Sequence, residues 1–177
     1  FVDRSSTSRI LVRAPLDGGA RAEVLARPLE PAGVFRVGAL AIDDEHLYWW
    51  LDDVLLRVKK TGGPPLELAR DHHATAPVAD GTHVYWVEDG ALRRVPAAGG
   101  AVETVARGAL SLPGAIATDA THVYWIGRGN VVRRRSKTSG SEEETTIQDA
   151  RGHLAIAGGH VYWLGASDHE LMRAALP

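Results

Sequence analysis

Four histidines recur at near-equal steps along this chain of 177 residues, each two positions before a tyrosine and three before a tryptophan. They are His46, His83, His122 and His160, separated by 37, 39 and 38 residues. Histidine is the commonest metal ligand, so a ring of four invites a metal reading. Distance argues against it. Equivalent positions on stacked sheets lie about 10 Å apart, whereas zinc holds its nitrogens at about 2.0–2.1 Å. Ring members on different sheets therefore cannot share one ion, and no metal or cofactor is expected. Each histidine is instead expected to open a strand and to hydrogen-bond near the aspartate three residues before it: Asp43, Asp80 or Asp119.

Arginines recur too. Arg13, Arg57, Arg94, Arg134 and Arg173 each follow an apolar residue by two positions, and the turn aspartates are their expected partners. A second set, Arg27, Arg70, Arg107 and Arg151, each follows an alanine. Gathered on one face, such a set could bind an anion or an acidic sugar, although a structural or solvated role is the preferred reading. The run Arg133-Arg134-Arg135-Ser136-Lys137 has the look of a nucleic-acid patch, but Glu142-Glu143-Glu144 follows across a turn at Ser139-Gly140. Antiparallel pairing sets these runs opposite each other as cross-strand ion pairs, so no nucleic-acid binding is expected. No Gly-x-Ser-x-Gly elbow, His-Glu-x-x-His pair or phosphate loop is present. Residues that break the repeat are the better place to look for function. They give a candidate ligand-binding set of Phe35, Arg36, His72, His73, Arg107, Arg151 and His153, with no catalytic residue assigned.

The composition narrows the classes further. Lys and Arg number 20 against 22 Asp and Glu, a net charge of −2 that does not favour a polyanionic partner. The chain has no cysteine, which excludes disulfides, thiolate metal sites and cysteine nucleophiles. No apolar run approaches the roughly 18 residues that span a bilayer, and the first residues show no signal-peptide pattern.

The elements that must position these side chains are legible from the repeat itself. All four tyrosines and four of the five tryptophans fall in the motif His-x-Tyr-Trp. Before it lies a short apolar stretch ending in Asp and two turn residues; after it come the Leu-x-Arg segment, a Gly-Gly or Ser-Gly turn, and a last segment ending Ala-Arg. Each segment is short, rich in Val, Ile, Leu, Tyr and Trp, and bounded by turn formers, which is strand chemistry. Asp89-Gly90 and Gly129-Asn130 are hairpin pairs that tolerate positive φ. No sustained helical period appears. Four short antiparallel strands per unit of about 38 residues is the pattern of an all-β β-propeller. The expected blades are 36–70, 76–107 and 115–151, with partial blades at 1–27 and 153–177. That makes four to five blades in all. Burial of both blade faces accounts for a second strand that is apolar or aromatic on both sides, with Leu47 and Trp49 opposite Tyr48.

The stretches "VRAPLDGG" (12–19), "LRRVPAAGG" (92–100) and "AIATDATHVYW" (115–125) resemble bacterial propeller repeats related to the YWTD propellers of lipoprotein receptors. The Thr-Asp that follows Tyr-Trp in the receptor type is replaced by Val87-Glu88 and Ile126-Gly127, so receptor functions do not transfer. The resemblance implies extracytoplasmic binding or scaffolding, in the periplasm, at the cell surface or secreted. The sequence thus points to a non-catalytic module with a protein or glycan ligand and no membrane insertion. A lectin-like propeller and a propeller enzyme of lyase or lactonase type are the alternatives. The incomplete terminal units lead to the expectation of either a closed ring of four or five blades or, preferred, a homodimer of two arcs forming one larger propeller.

Overall fold

The computed structural model describes residues 11–15, 23–26, 37–70, 74–109, 115–145, 147–165 and 170–176. Phe35, Arg36, His72, His73 and Arg27 lie outside the described residues. The strands fall into five antiparallel sheets in which chain order equals spatial order. The first holds β1 (Leu11–Arg13) and β2 (Glu23–Ala26); the second holds β3 (Val37–Ile42), β4 (His46–Leu51), β5 (Val54–Lys59) and β6 (Leu66–Arg70). The third holds β7 (Val78–Ala79), β8 (His83–Glu88), β9 (Ala91–Pro96) and β10 (Glu103–Arg107). The fourth holds β11 (Ile116–Thr118), β12 (His122–Gly127), β13 (Val131–Ser136) and β14 (Glu142–Glu144). The fifth holds β15 (Arg151–Ala157), β16 (His160–Leu164) and β17 (Leu171–Ala175).

Tight hairpins join the second and third strands of each complete sheet. Asp89 and Gly90 have φ of 46° and 75°, and Gly129 and Asn130 have φ of 77° and 59°, the left-handed conformations that such residues accept. Because each sheet is a simple meander, the first and third turns lie at one end of it. The second turn and the connection to the next sheet lie at the other.

The Tyr-Trp pair explains why the sheets stack. Side chains alternate across a strand, so adjacent Tyr and Trp point into different neighbours. Trp49 packs with Leu11, Leu25 and Ala26 of the first sheet, whereas Tyr48 faces Val84, Trp86 and Val95 of the third. Tyr85 faces Ile116, Val123 and Trp125 of the fourth sheet, and Tyr124 faces Leu154, Val161 and Trp163 of the fifth. Each of the three interfaces from the second sheet to the fifth thus receives a Tyr from the sheet before it and a Trp from the sheet after it, while the first interface receives Trp49 alone. Trp86 and Trp125 are 1% and 0% exposed, and burying a ring of that size contributes about 2–3 kcal/mol per copy. The fifth tryptophan, Trp50, adds an edge-on contact with Trp86 at 5.7 Å between ring centres.

Candidate functional site

The repeated polar residues build a lock within the sheet. Asp119 Oδ1 accepts the N–H of Thr121 at 2.6 Å, the N–H of His122 at 2.8 Å and the Thr121 hydroxyl at 2.9 Å. Its Oδ2 accepts the hydroxyl of Tyr124 at 2.8 Å. Asp43 and Asp80 hold the same turn N–H groups and the hydroxyls of Tyr48 and Tyr85. Burial works against the Asp119 charge, but the Thr121 N–H, the Tyr124 hydroxyl and the His122 N–H outweigh it and hold the carboxyl down to about 2. Burial and then Asp119 push Tyr124 up to about 12. Asp43 and Asp80 are likewise lowered against the opposing effect of burial.

This arrangement corrects the expected partner of the strand arginines. Tyr, not Arg, occupies the turn aspartates. Arg13 reaches across to the Lys60 carbonyl at 2.9 Å and Arg57 to the Ala97 carbonyl, each tying its sheet to the backbone of the next. Arg94 and Arg134 instead pair with Glu103 and Glu143 on the neighbouring strand, both at 2.7 Å. The histidines do meet the aspartates, through their backbone N–H groups. Their rings lie 5.9–6.3 Å from the tyrosine two residues on, one pair in each of the second to fifth sheets. The basic and acidic runs face each other in register, Arg133 opposite Glu144, Arg134 opposite Glu143 and Arg135 opposite Glu142.

Arg151 and His153 require a correction of place. Arg151 was expected to end the last strand of the fourth sheet, and His153 to lie in the connection that follows it. The chain instead stays beside β13 as far as Ala150, whose N–H donates to the Asn130 carbonyl at 2.9 Å, and Arg151 opens β15. Gly152 and His153 form a bulge in that strand, between the Arg151–Leu164 and Leu154–Trp163 pairs. Both Arg151 and His153 are exposed. Arg107 ends β10 at the edge of the third sheet, also exposed.

A larger feature lies at the opposite end of the sheets from these residues. A cleft of about 550 Å³ opens between the third and fourth sheets, lined among others by Arg94, Glu103, Arg135, Ser136, Lys137 and Thr138. Lys137 donates to Asp80 Oδ2 at 2.7 Å with both side chains largely buried, and Arg135 donates to the Val105 carbonyl. Two side chains of the fourth sheet thus clamp the third and set the cleft width. Sequence reasoning missed this cleft, although Lys137 stands where the third unit has Ala97 and so carried a signal.

No family model matches the chain, and no curated protein matches it significantly. Solved structures do. One is that of the nidogen–laminin complex, 16% identical over 95% of this chain and 70% of that one, with a TM-score of 0.66. The fold is that of a β-propeller. The likeness to propellers of the YWTD type therefore holds at the level of fold. The propeller also resembles the computationally designed Ika4 protein, 13% identical over 86% of this chain and 98% of that one, with a TM-score of 0.63. A third is BamB from Moraxella catarrhalis, 16% identical over 86% of this chain and 50% of that one, with a TM-score of 0.60. Among the described residues, no helix of this propeller is long and apolar enough to cross a membrane.

Proposed function

We propose that the chain is a non-catalytic propeller module that binds a protein partner in the cleft between the third and fourth sheets. The observation that carries this reading is the lining of that cleft, where Arg94, Arg135 and Lys137 alternate with Glu103 and the hydroxyls of Ser136 and Thr138. Interspersed charges at a rim set the register and specificity of a protein surface. Arg94 and Glu103 pair with each other, whereas Arg135, Ser136 and Lys137 depart from Val95, Pro96 and Ala97 of the third unit, and residues that break a repeat are the better candidates for recognition. A sugar would need an exposed ring to stack on. Tyr85, the one aromatic side chain among the described lining residues, is 1% exposed, so a glycan ligand is the less favoured reading.

The test uses two exposed threonines at equivalent turns, Thr138 beside the cleft and Thr61 in the second sheet. The wild type and Thr61→Trp are expected to retain the same protein at near-stoichiometric amounts from a source extract, and Thr138→Trp to lose it. Identical retention by all three proteins would defeat the assignment. Glycan-array binding that Thr138→Trp abolishes would establish the lectin-like alternative instead.

A further inference from the structure

At the end of the sheets opposite the cleft, the fourth unit departs from its neighbours in a way that concentrates positive charge. The second hairpin turn is Asp52-Asp53 in the second sheet and Asp89-Gly90 in the third, but Arg128-Gly129-Asn130 in the fourth. The residue before that turn is Leu51, Glu88 and Gly127 in the same order. In the third sheet Glu88 pairs with Arg93 at 3.1 Å. Arg133 is the counterpart of Arg93, each lying opposite the motif tryptophan, and it has a glycine where Arg93 has that acid. A third acid is missing at Arg107. Its counterpart Arg70 pairs with Glu67 at 2.6 Å, while the residue three before Arg107 is Thr104.

The three arginines converge. Arg107, Arg128 and Arg133 line a cleft of about 340 Å³ together with Gly108. Two glycines make room for them. A Cβ at Gly127 would stand 2.8 Å from Arg133 Cδ and 2.9 Å from its Nε, so the guanidinium stem occupies that space. The stem of Arg128 passes over Gly108, with Cγ and Cδ 3.9 Å from a Cβ placed there. The Arg128 N–H donates to the Gly108 carbonyl at 3.1 Å, which pins the turn of the fourth sheet to the end of the third. Arg133 also pairs with Glu142 at 3.3 Å. No ion pair to Arg107 or Arg128 is formed among the described residues. Asp89 and Asp149, the acids on the adjoining turns, are exposed and do not line the cleft. Beside Arg133, the guanidinium groups of Arg107 and Arg128 add two positive charges that form no ion pair among the described residues, in the planar donor geometry that suits tetrahedral oxyanions.

We propose that the Arg107–Arg128–Arg133 cleft binds a tetrahedral oxyanion, the phosphate or sulfate group of a monoester. The site is separate from the partner-binding cleft and does not rest on it. Its test is a titration of the full chain with inorganic phosphate, read from the arginine Nε–H resonances. Saturable shifts are expected for Arg107, Arg128 and Arg133. Arg128→Gln is expected to weaken binding about tenfold or more, the usual loss for one charged hydrogen-bond donor. Gly127→Ala should weaken it as well by displacing Arg133. Arg134→Gln, which removes a charge from the same strand outside the cleft, should leave it within about twofold. Phenyl phosphate binding more tightly than phenyl sulfate would identify a phosphate ester, and the reverse order a sulfate ester; either upholds the site. No saturable shift below about 10 mM phosphate, or an equal loss in Arg134→Gln and Arg128→Gln, would overturn it.

Discussion

Replacing Asp119 by alanine removes a carboxylate that four donors share. Thr121 is exposed, so water takes over at its N–H and hydroxyl, and the loss there is about 0.5–1 kcal/mol. Tyr124 is only 2% exposed. Its hydroxyl has no water to turn to, and stranding it costs about 1–3 kcal/mol. Asp119→Ala should therefore lower stability by about 3 kcal/mol, whereas Tyr124→Phe, which removes the hydroxyl but leaves Asp119 its Thr121 and His122 donors, should lower it by about 1 kcal/mol. Both changes break the same contact, so the double variant should fall short of their sum by about 1 kcal/mol. The fourth repeat supplies a control. There Ala157 stands in place of the aspartate, so Tyr162→Phe should cost less than Tyr124→Phe. Urea unfolding of the five proteins, followed by tryptophan fluorescence at constant m-value, measures all of this. Strict additivity, or a loss under about 1 kcal/mol in Asp119→Ala, would refute the lock.

Three further outcomes are expected. His83→Ala and His122→Ala should each lower stability by about 1 kcal/mol through lost packing on the tyrosine ring, without changing metal content; tightly bound metal that either variant loses would defeat the structural role. Stability should fall in two stages on acidification, measured by urea midpoints across pH. His83 is lowered below 6.5 by burial and then by Arg94, so the unfolded chain binds its proton first and stability begins to fall below that pH. Asp43, Asp80 and Asp119 are lowered below 3.8, so their contribution is present above 3.8 and is lost as pH falls toward about 2; a flat profile over both windows would count against the hydrogen-bonded aspartates. Light scattering coupled to gel filtration should give a mass about twice 19.0 kDa, since Leu171 and Met172 on β17 are 73% and 41% exposed and offer an apolar edge to a second copy; a clean monomer mass rules the two-arc assembly out.

The strands were legible because the repeat is unusually well marked. Tyr and Trp side by side in every unit leave one solution, a strand buried on both faces, and the Asp-Gly and Gly-Asn pairs place the hairpins. The lock was only half legible. His three residues after Asp drew attention to the imidazole, yet the carboxylate reaches past it to Tyr five residues on. The signal was present, since Ala157 replaces Asp in the one unit whose tyrosine lacks this partner. Arg151 and His153 were misplaced because Ala150-Arg151 spells the same ending as Ala69-Arg70 and Ala106-Arg107. Sequence pattern does not tell a strand end from a strand start when one apolar stretch continues into the next. The two clefts arise between units, from side chains of adjacent sheets, and no period within one unit announces them. The exchange of Glu88-Asp89 for Gly127-Arg128 is visible once the units are aligned through their tryptophans.

If each Tyr-Trp pair walls two sheets at once, the indole N–H groups of Trp86 and Trp125 are reachable by solvent only when the sheets part. Both side chains are buried, at 1% and 0% exposure, and Trp125 Nε1 has no hydrogen-bond partner, so packing alone must protect it. Hydrogen exchange of the five indole N–H resonances by NMR is the direct measurement. Exchange of Trp86 and Trp125 should proceed only with the free energy of global unfolding, tracking the urea-derived stability as denaturant is raised. Rapid exchange of either indole under native conditions would contradict the stacked-sheet arrangement.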